Sequence, residues 1–557
     1  MVKRILALFT REIRGLHEAA YLLAIFTFLS QILALVRDKL LAFSFGAGHT
    51  LDLYYAAFRI PDILFASLAS MVAASILVPF FMQKQSEGKE QGKKIIDSTF
   101  SLFSIVMVGV SIIVYIFVPK LIPLTLPGLA DPGTFDHLVS LTRILLLQPI
   151  FFGFSNFFSS ITQMQNRFLL YAMSPVLYNL GIILGIAVLY PYFGLDGLAY
   201  GVVIGALLHC LVHVPYVIKH GLFPKFSFTI DWKAVKGIVR TALPRTITLS
   251  AHQISTFFLI AFASGMTAGS ISIFTFALNL QSLPLAVVGA SYSSAVFPAL
   301  AKFFSEKNIE KFVSHVATTV KHIIFWSIPI SAICIVLRAQ IVRTILGAGK
   351  FDWSDTRLTA AALALFIISA VGQGLMLIFV RAYYAEGKTS RPLIMNIISA
   401  LLIIVLAFAL IKLYETSIVW RYFIENLMRI GENGAVLMLP LAYTIGVLFN
   451  TFLHWIAFEK DYKGFTANIW RSGVHSLGAS IIAAYVAYGM LRPFAEIFGT
   501  RTIAGIFLQG LSAGVCGIIV GILVLSALKN EELMEIWRTL HAKVWKANVG
   551  PSDQLPT

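Results

Sequence analysis

Long apolar runs alternate with short polar segments along almost the whole chain. A helix that crosses a lipid bilayer needs about 20 consecutive, mostly apolar residues. Runs of that kind lie near residues 19–36, 51–80, 97–118, 138–164, 169–190, 195–218, 239–264, 270–301, 313–337, 358–384, 390–412, 435–458, 468–490 and 502–528. The pattern predicts an all-α integral membrane protein with about 14 transmembrane helices.

The composition agrees with this pattern. Of the 557 residues, 58% are hydrophobic and 13% are charged, whereas soluble domains carry about 25% charged residues. The net charge of +16 would suit a nucleic-acid partner in a soluble protein. Here the basic residues concentrate at the N-terminus and in the loops after the second, sixth, eighth and tenth runs, which the positive-inside rule explains better. Both termini of this multi-pass protein are therefore predicted to be cytoplasmic, with no nucleic-acid partner.

The second half of the chain repeats features of the first half. Pro61 recurs as Pro284 and Pro175 recurs as Pro392, each about 220 residues later. The period covers six runs, so we expect two six-helix lobes related by a pseudo-twofold axis along the membrane normal, plus a C-terminal helix pair. The expected segments are a cytoplasmic interfacial helix (1–18), the N-lobe (19–220), a cytoplasmic linker (221–238), the C-lobe (239–460), the helix pair (461–530) and a cytoplasmic tail (531–557).

A cluster of ionisable residues interrupts the first two runs. Arg37 and Asp38 follow the first run, and Asp52 and Arg59 lie in the second. Charges at membrane depth are costly unless they face a partner or a wet cavity. Arginine suits phosphate because its planar fork binds two oxygens at once. The cluster therefore predicts a site for an anionic, phosphorylated substrate, with the two acids orienting the arginines or gating. An ordinary ion pair at the membrane boundary remains the alternative.

Glycines and prolines beside this cluster are candidate hinges. Gly46 and Gly48 form a turn between the first two runs, and Pro61 and its repeat partner Pro284 remove a backbone donor within apolar runs. Proline bends a helix at such a position. We predict that these four residues allow the helices around the site to move.

The sequence offers few other candidates for a metal, nucleotide or catalytic site. His209 and His213 share one helix face, as metal ligands can, but no carboxylate or cysteine accompanies them, so interfacial histidines and no metal are expected. The chain carries no nucleotide-binding loop and no catalytic motif. We therefore expect no enzyme activity and no cofactor, and coupling to the membrane potential or to a cation whose site the sequence does not identify. The sequence assigns no role to the long loops 338–357 and 413–434.

The sequence of the charged stretch and of several later segments resembles a known family. The segments VRDKLLAFSFGAGHTLDLYYAAFRIPDIL, LTRILLLQP, MQNRFLLYAMSPVLYN, VVGASYSSAVFPALAKF and VRAYYAEGKTSRPLI resemble the MurJ/MviN lipid II flippases of the MOP exporter superfamily. The resemblance implies a bacterial cytoplasmic-membrane flippase that exports the undecaprenyl-linked peptidoglycan precursor by alternating access. It also implies a final helix pair that lines a lipid groove. The partners to expect are a lipid-linked glycan, membrane lipid and cell-wall synthesis enzymes.

The family's substrate-holding residues carry over only in part. Its arginine–aspartate pair matches Arg37 and Asp38, its acid after the glycine turn matches Asp52, and its basic residue before the proline matches Arg59. Three further family arginines are replaced, and an acid–glycine pair of the second run is absent. The replacing residues are Gln31, Phe65 and Asn279, with Ser70 and Met71 at the absent pair. Gln31 and Asn279 are kept as substrate-lining candidates, and Arg245 is a candidate source of replacement charge.

Because three of the family's arginines are replaced in this sequence, two alternatives to a lipid II flippase stay open. The first is an exporter of another lipid-linked oligosaccharide or amphiphile. The second is a non-transporting membrane scaffold for cell-wall synthesis.

Overall fold

The computed structural model describes residues 16–68, 89–165, 167–227, 253–431 and 433–545, together with Leu77, Trp232, Lys236 and Thr246. These residues form helices and connecting turns, without a strand among them. In chain order the helices are α1 (Leu16–Phe45), α2 (His49–Ala57), α3 (Arg59–Leu68), α4 (Lys89–Thr125), α5 (Pro132–Leu145), α6 (Leu147–Met164), α7 (Phe168–Leu184), α8 (Tyr190–Phe193), α9 (Leu195–Leu211), α10 (Val214–Lys219), α11 (Gln253–Ser264), α12 (Ser270–Leu285), α13 (Ser291–Ser305), α14 (Ile309–Val336), α15 (Arg338–Ile345), α16 (Trp353–Ala385), α17 (Ser390–Thr416), α18 (Ile418–Met428), α19 (Met438–Asp461), α20 (Ala467–Phe498), α21 (Ile503–Ala527) and α22 (Glu531–Trp545). The prediction of an all-helical protein is confirmed.

Within the described residues, 11 helical segments are long and apolar enough to cross a membrane. Each coincides with one of the predicted apolar runs. The other three runs fall in α1, in 51–80 and in 239–264, and the last two lie partly outside the described residues. The multi-pass architecture is thus confirmed, and the total of about 14 spans stays a prediction.

The first helix extends further than its apolar run. The run ends at Val36, but α1 continues through Arg37 and Asp38 to Phe45. No residue that favours a helix stop occurs until Gly46, which takes a positive φ of 66°. The charged pair that follows the apolar run therefore lies inside a helix, where Arg37 and Asp38 form an ion pair.

The two segments expected to be loops contain helices. The segment 338–357 holds α15, and the segment 413–434 holds α18. One residue, Ser417, separates α17 from α18, and its side chain accepts a hydrogen bond from the Trp420 amide. A serine in this position satisfies a free donor of the first helical turn.

Contacts divide the chain into two compact units. Unit 1 comprises Met1–Phe276, Ile345–Thr359 and Thr389–Ala442. Its core lies among α3, α4 and α6, where Met107, Phe157 and other apolar side chains are fully buried. The lobe boundaries expected from the repeat stay a prediction.

Within unit 1, α7 and α9 cross at four glycines. Gly181 faces Gly205, and Gly185 faces Gly201. A Cβ atom at any of these positions would overlap the backbone of the opposite helix. The small-residue pairs in this part of the sequence therefore permit backbone-to-backbone packing, as expected for membrane helices.

Unit 2 comprises Ala277–Thr344, Ala360–Lys388 and Tyr443–Thr557. Its core is aromatic, and Phe379, Tyr383 and Phe458 are fully buried between α16 and α19. Helices α20 and α21 pair with each other, and α20 also packs against α14. The C-terminal pair is closely packed, because a Cβ at Gly517 would lie 2.6 Å from the Ala483 carbonyl oxygen. Its role as a lipid groove stays a prediction.

Candidate functional site

The predicted second span begins with a broken helix. α2 ends at Ala57, Phe58 forms a turn, and α3 begins at Arg59. Pro61 is buried in the first turn of α3, where a missing backbone donor costs little. The break places Arg59 at the start of a helix, beside the carbonyl groups that end α2.

Arg37 forms the centre of a polar network in unit 1. Its Nε donates to Asp38 Oδ1 over 2.9 Å, and its Nη2 lies 2.8 Å from the same oxygen. Nη1 donates to Asn179 Oδ1 over 3.3 Å, and Asn179 Nδ2 donates to the Ser30 hydroxyl. The Arg37 side chain is 20% exposed, whereas that of Asp38 is 4% exposed. The acid therefore orients a guanidinium that keeps an accessible edge.

Arg59 is held more loosely. Its Nε donates to the Tyr55 carbonyl over 3.2 Å, and its Nη2 lies 3.8 Å from Asp62 Oδ2. A separation of that size is an ion pair without a close hydrogen bond. An anion that binds Arg59 would displace this ion pair but no close hydrogen bond to Asp62.

Tyr55 links the two arginines. Tyr55 belongs to α2, and its hydroxyl is within electrostatic range of Asp38 as well as of Arg37 and Arg59. That hydroxyl is buried and has no hydrogen-bond partner among the described residues. A buried, unpaired donor beside two cations is a candidate ligand for an anion. The sequence offered no signal for Tyr55, because an aromatic residue in an apolar run is usually a packing residue.

The Asp52 side chain extends from α2 to the first residues of α12. Its Oδ2 accepts from the Gly269 amide over 2.6 Å, and its Oδ1 accepts from the amide and the hydroxyl of Ser272 over 2.8 and 2.6 Å. Asp52 is 3% exposed. Although it comes from α2, it caps the N-terminus of α12, where free amides and the helix dipole favour a carboxylate. Its predicted part in orienting the arginines or gating stays a prediction.

Three glycines bring distant segments of unit 1 together, and we call them the glycine junction: Gly46, Gly269 and Gly349. Their φ angles are 66°, 94° and 59°, which favour glycine over residues with a side chain. A Cβ at Gly46 would lie 2.7 Å from the Lys350 carbonyl oxygen, and a Cβ at either of the others would overlap a carbonyl oxygen of segment 43–47.

Hydrogen bonds reinforce this junction. The Ala47 amide donates to Asp355 Oδ2 over 3.0 Å, and the Lys350 amide donates to the Phe43 carbonyl over 3.0 Å. Gly48, by contrast, has an ordinary φ of −139° at the start of α2. Gly46 therefore lies in a packed turn, and the hinge roles predicted for Gly46 and Gly48 stay predictions.

The remaining candidates are placed as follows. Gln31 is half-buried in α1 and makes no hydrogen bond to a described residue. Phe65 packs edge-to-face on Phe152 with ring centroids 5.6 Å apart. Asn279 is half-buried in α12, and its carbonyl accepts from the Ser282 hydroxyl.

Pro284 lies near the end of α12, directly before a π-helical turn at Ala286–Ala290. Such turns widen a helix locally and recur at functional sites. The hinge roles of Pro284 and Pro61 stay predictions. Arg245, Ser70 and Met71 lie outside the described residues.

The histidine pair has an internal packing role. His209 Nδ1 lies 2.7 Å from the Ser155 hydroxyl, and His213 lies 3.2 Å from the Thr162 hydroxyl and 3.0 Å from that of Ser174. His213 is fully buried. These hydroxyl partners lie on neighbouring helices and were invisible in the local sequence, and the interfacial position of the two histidines stays a prediction.

Comparison with known proteins adds independent information. A family model described as lipid II flippase MurJ matches residues 41–508. A probable lipid II flippase MurJ of Bdellovibrio bacteriovorus is 28% identical over 441 residues, which are 77% of this chain and 83% of the relative. A probable lipid II flippase MurJ of Thermotoga maritima is 25% identical over 524 residues, which are 92% and 96% of the two chains.

Solved structures share the fold. A lipid II flippase MurJ in an inward closed conformation matches with a TM-score of 0.73 and 24% identity, over 91% of this chain and 99% of that one. An inward-facing multidrug resistance MATE family transporter of the MOP superfamily matches with a TM-score of 0.64 and 15% identity, over 79% and 95%.

Proposed function

The chain belongs to the lipid II flippase MurJ family, and from this premise we propose that it carries lipid II across the bacterial cytoplasmic membrane by alternating access. Lipid II is the lipid-linked glycan that the names of its relatives specify. In this proposal the protein is a secondary-type transporter with both termini in the cytoplasm. Coupling to the membrane potential or to a cation supplies the driving force, and cell-wall synthesis enzymes use the exported lipid.

The observation that carries this proposal is the pair of arginines around Tyr55. Arg37 and Arg59 share the unpaired hydroxyl of Tyr55 as an electrostatic neighbour. A pyrophosphate offers several oxygens, so it can accept from both guanidinium groups and from this hydroxyl together. Charge-assisted hydrogen bonds of this kind are about twice as strong as neutral ones.

The acids make this site suitable for release as well as for binding. Asp38 pairs with Arg37, and Asp62 pairs with Arg59. A pyrophosphate must compete with them, so the net gain from binding is smaller than it would be for unpaired arginines. A transporter needs such moderate affinity, since cargo held too tightly would not leave.

Complementation tests the proposal directly. We expect the chain to restore growth and lipid II export in a bacterium depleted of its own flippase, and Arg37→Ala to abolish rescue. Arg37→Lys should rescue partly, because lysine keeps the charge but loses the planar fork. Arg492→Ala is the matched control, because that arginine is 91% exposed and pairs with Glu496 on α20.

The outcomes separate the alternatives. Failure of the wild-type chain to rescue, although it is present in the membrane, would exclude lipid II as its cargo. Mass spectrometry of the lipid that co-purifies with the chain would then identify another lipid-linked oligosaccharide. Equal rescue by the wild type and by Arg37→Ala would show that Arg37 does not hold the pyrophosphate.

A further inference from the structure

A cavity lined by both polar and apolar side chains lies in unit 1, and neither Arg37 nor Arg59 lines it. It has a volume of about 570 Å³ and lies between α4, α5 and α9. Its lining mixes apolar side chains with Asp136, Arg143, Tyr115, Tyr200 and Ser111. The cavity opens on the side of the bundle, since Tyr115 and Tyr200 are 47% and 40% exposed. In a membrane protein such an opening faces lipid.

Arg143 is the distinctive group in this cavity. It lies within the membrane-crossing segment Pro132–Met164. Its Nε donates to the Tyr115 carbonyl over 3.3 Å, and its guanidinium stacks 4.7 Å from the Tyr115 ring. Among the described residues no carboxylate lies within ion-pair distance of it. An arginine in a span faces the protein interior or a cavity and pairs with groups there, and the two Nη groups of Arg143 are open to an anionic partner.

The ligand chemistry follows from the order of groups along α5 and into the start of α6. Asp136 precedes Arg143 by seven residues, which is about 10 Å along a helix. Leu147 and Ile150 line the same cavity and follow Arg143. From the membrane surface inward, the cavity therefore presents a carboxylate, then a guanidinium, then apolar side chains. Phosphatidylethanolamine presents an ammonium, a phosphate and acyl chains in the same order.

Two further features of the cavity fit a phospholipid. Tyr115 and Tyr200 combine an apolar ring with a polar tip, as aromatic residues at membrane interfaces do. Ser111 is 3% exposed, and its hydroxyl has no hydrogen-bond partner among the described residues. It lies one helical turn deeper than Tyr115, at the depth where a phospholipid carries its ester carbonyl groups.

We propose that this cavity binds a bilayer phospholipid with a phosphoethanolamine headgroup. Arg143 binds the phosphate, and Asp136 binds the ammonium group. The acyl chains lie against Ile112, Leu147 and Ile150. The charge pattern of the loops places this end of α5 on the outer side of the membrane, so the lipid belongs to the outer leaflet. The site is separate from the cargo site and does not depend on the proposed function.

Retained lipid tests this proposal. The full chain would be placed in nanodiscs of equal parts phosphatidylethanolamine and phosphatidylglycerol without lipid II, released into detergent, and analysed by native mass spectrometry. We expect Arg143→Gln to lower the retained phospholipid about tenfold, as the loss of a charge-assisted hydrogen bond predicts. Arg143→Lys should retain most of it. Arg492→Gln, a change at an exposed arginine of α20, should retain as much as the wild type.

The variant Asp136→Asn tests whether the cavity selects the ammonium group of the phospholipid headgroup. This exposed side chain can be changed without disturbing the core, so the variant remains informative even if Arg143→Gln does not fold. We expect it to retain phospholipid but to lose the preference for phosphatidylethanolamine over phosphatidylglycerol. An unchanged lipid ratio would overturn the assignment of the ammonium group. Equal retention of phospholipid by the wild type and a folded Arg143→Gln variant would overturn the site. The site would also be overturned if the Arg143→Gln variant, purified directly from cells, had selectively lost a polyprenyl lipid.

Discussion

Replacing Asp52 by alanine should destabilise unit 1 even though the substitution removes few atoms. The Asp52 carboxylate accepts three hydrogen bonds from Gly269 and Ser272 at the start of α12. α12 itself begins at Ser270. The substitution therefore leaves two backbone N–H groups and one hydroxyl without their acceptor, in a place that is closed to water.

The size of the effect can be estimated from these contacts. A buried donor left without a partner costs about 1–3 kcal/mol, so the two amides of Gly269 and Ser272 together cost about 2–6 kcal/mol. Asp52→Asn keeps one acceptor oxygen but loses the charge that complements the helix dipole, which contributes about 0.3–1 kcal/mol. We therefore expect the free energy of unfolding to fall in the order wild type, Asp52→Asn, Asp52→Ala.

Thermal unfolding in detergent, followed by intrinsic fluorescence, measures this order as apparent melting temperatures. Asp131→Ala is the matched control, because Asp131 is an exposed aspartate at the N-terminus of α5 that makes no side-chain hydrogen bond to that helix. It should melt within about 1 °C of the wild type, as surface substitutions usually do. If Asp52→Ala melted at the same temperature as the wild type and Asp131→Ala, the cap at α12 would have no energetic importance.

Two further predictions follow from packing and topology. Gly201→Val should lower the melting temperature by forcing α7 and α9 apart. Gly109→Ala should leave the melting temperature unchanged, since a Cβ at Gly109 meets no atom within 4 Å. Equal melting temperatures of the two variants would contradict the close glycine crossing. A cysteine introduced at Gly133 should react with a membrane-impermeant thiol reagent in intact cells, and one introduced at Lys307 should not, because the loop charges place the two positions on opposite sides of the membrane. Labelling at Lys307 but not at Gly133 would show that the topology is inverted.

The spans could be predicted from the sequence because the bilayer imposes a length and a polarity on each of them. Eleven described segments coincide with apolar runs for this reason. The end of α1 could not be predicted in the same way. The helix continues through Arg37 and Asp38 to Phe45, and Arg37 donates to Asn179, which lies 142 residues away in the sequence.

The candidate site could be predicted only in part. Its charged members stood out against an apolar background, so Arg37 and Arg59 were identified from composition alone. Tyr55 was not, because its importance depends on the burial of one hydroxyl between two cations. The cap made by Asp52 also escaped prediction, because Gly269 lies 217 residues away and no local pattern marks the bond.

The glycine junction constrains how this sequence can diverge. A clash between two side chains can be relieved when a later mutation shrinks the partner. At Gly269 and Gly349 the opposing atoms are carbonyl oxygens, which every amino acid carries. No second substitution can remove them, so these glycines should stay fixed while the side chains around them drift. An engineer who recombines segments of related chains should therefore keep 43–47, Gly269 and Gly349 from a single parent, because their fit depends on the path of the backbone.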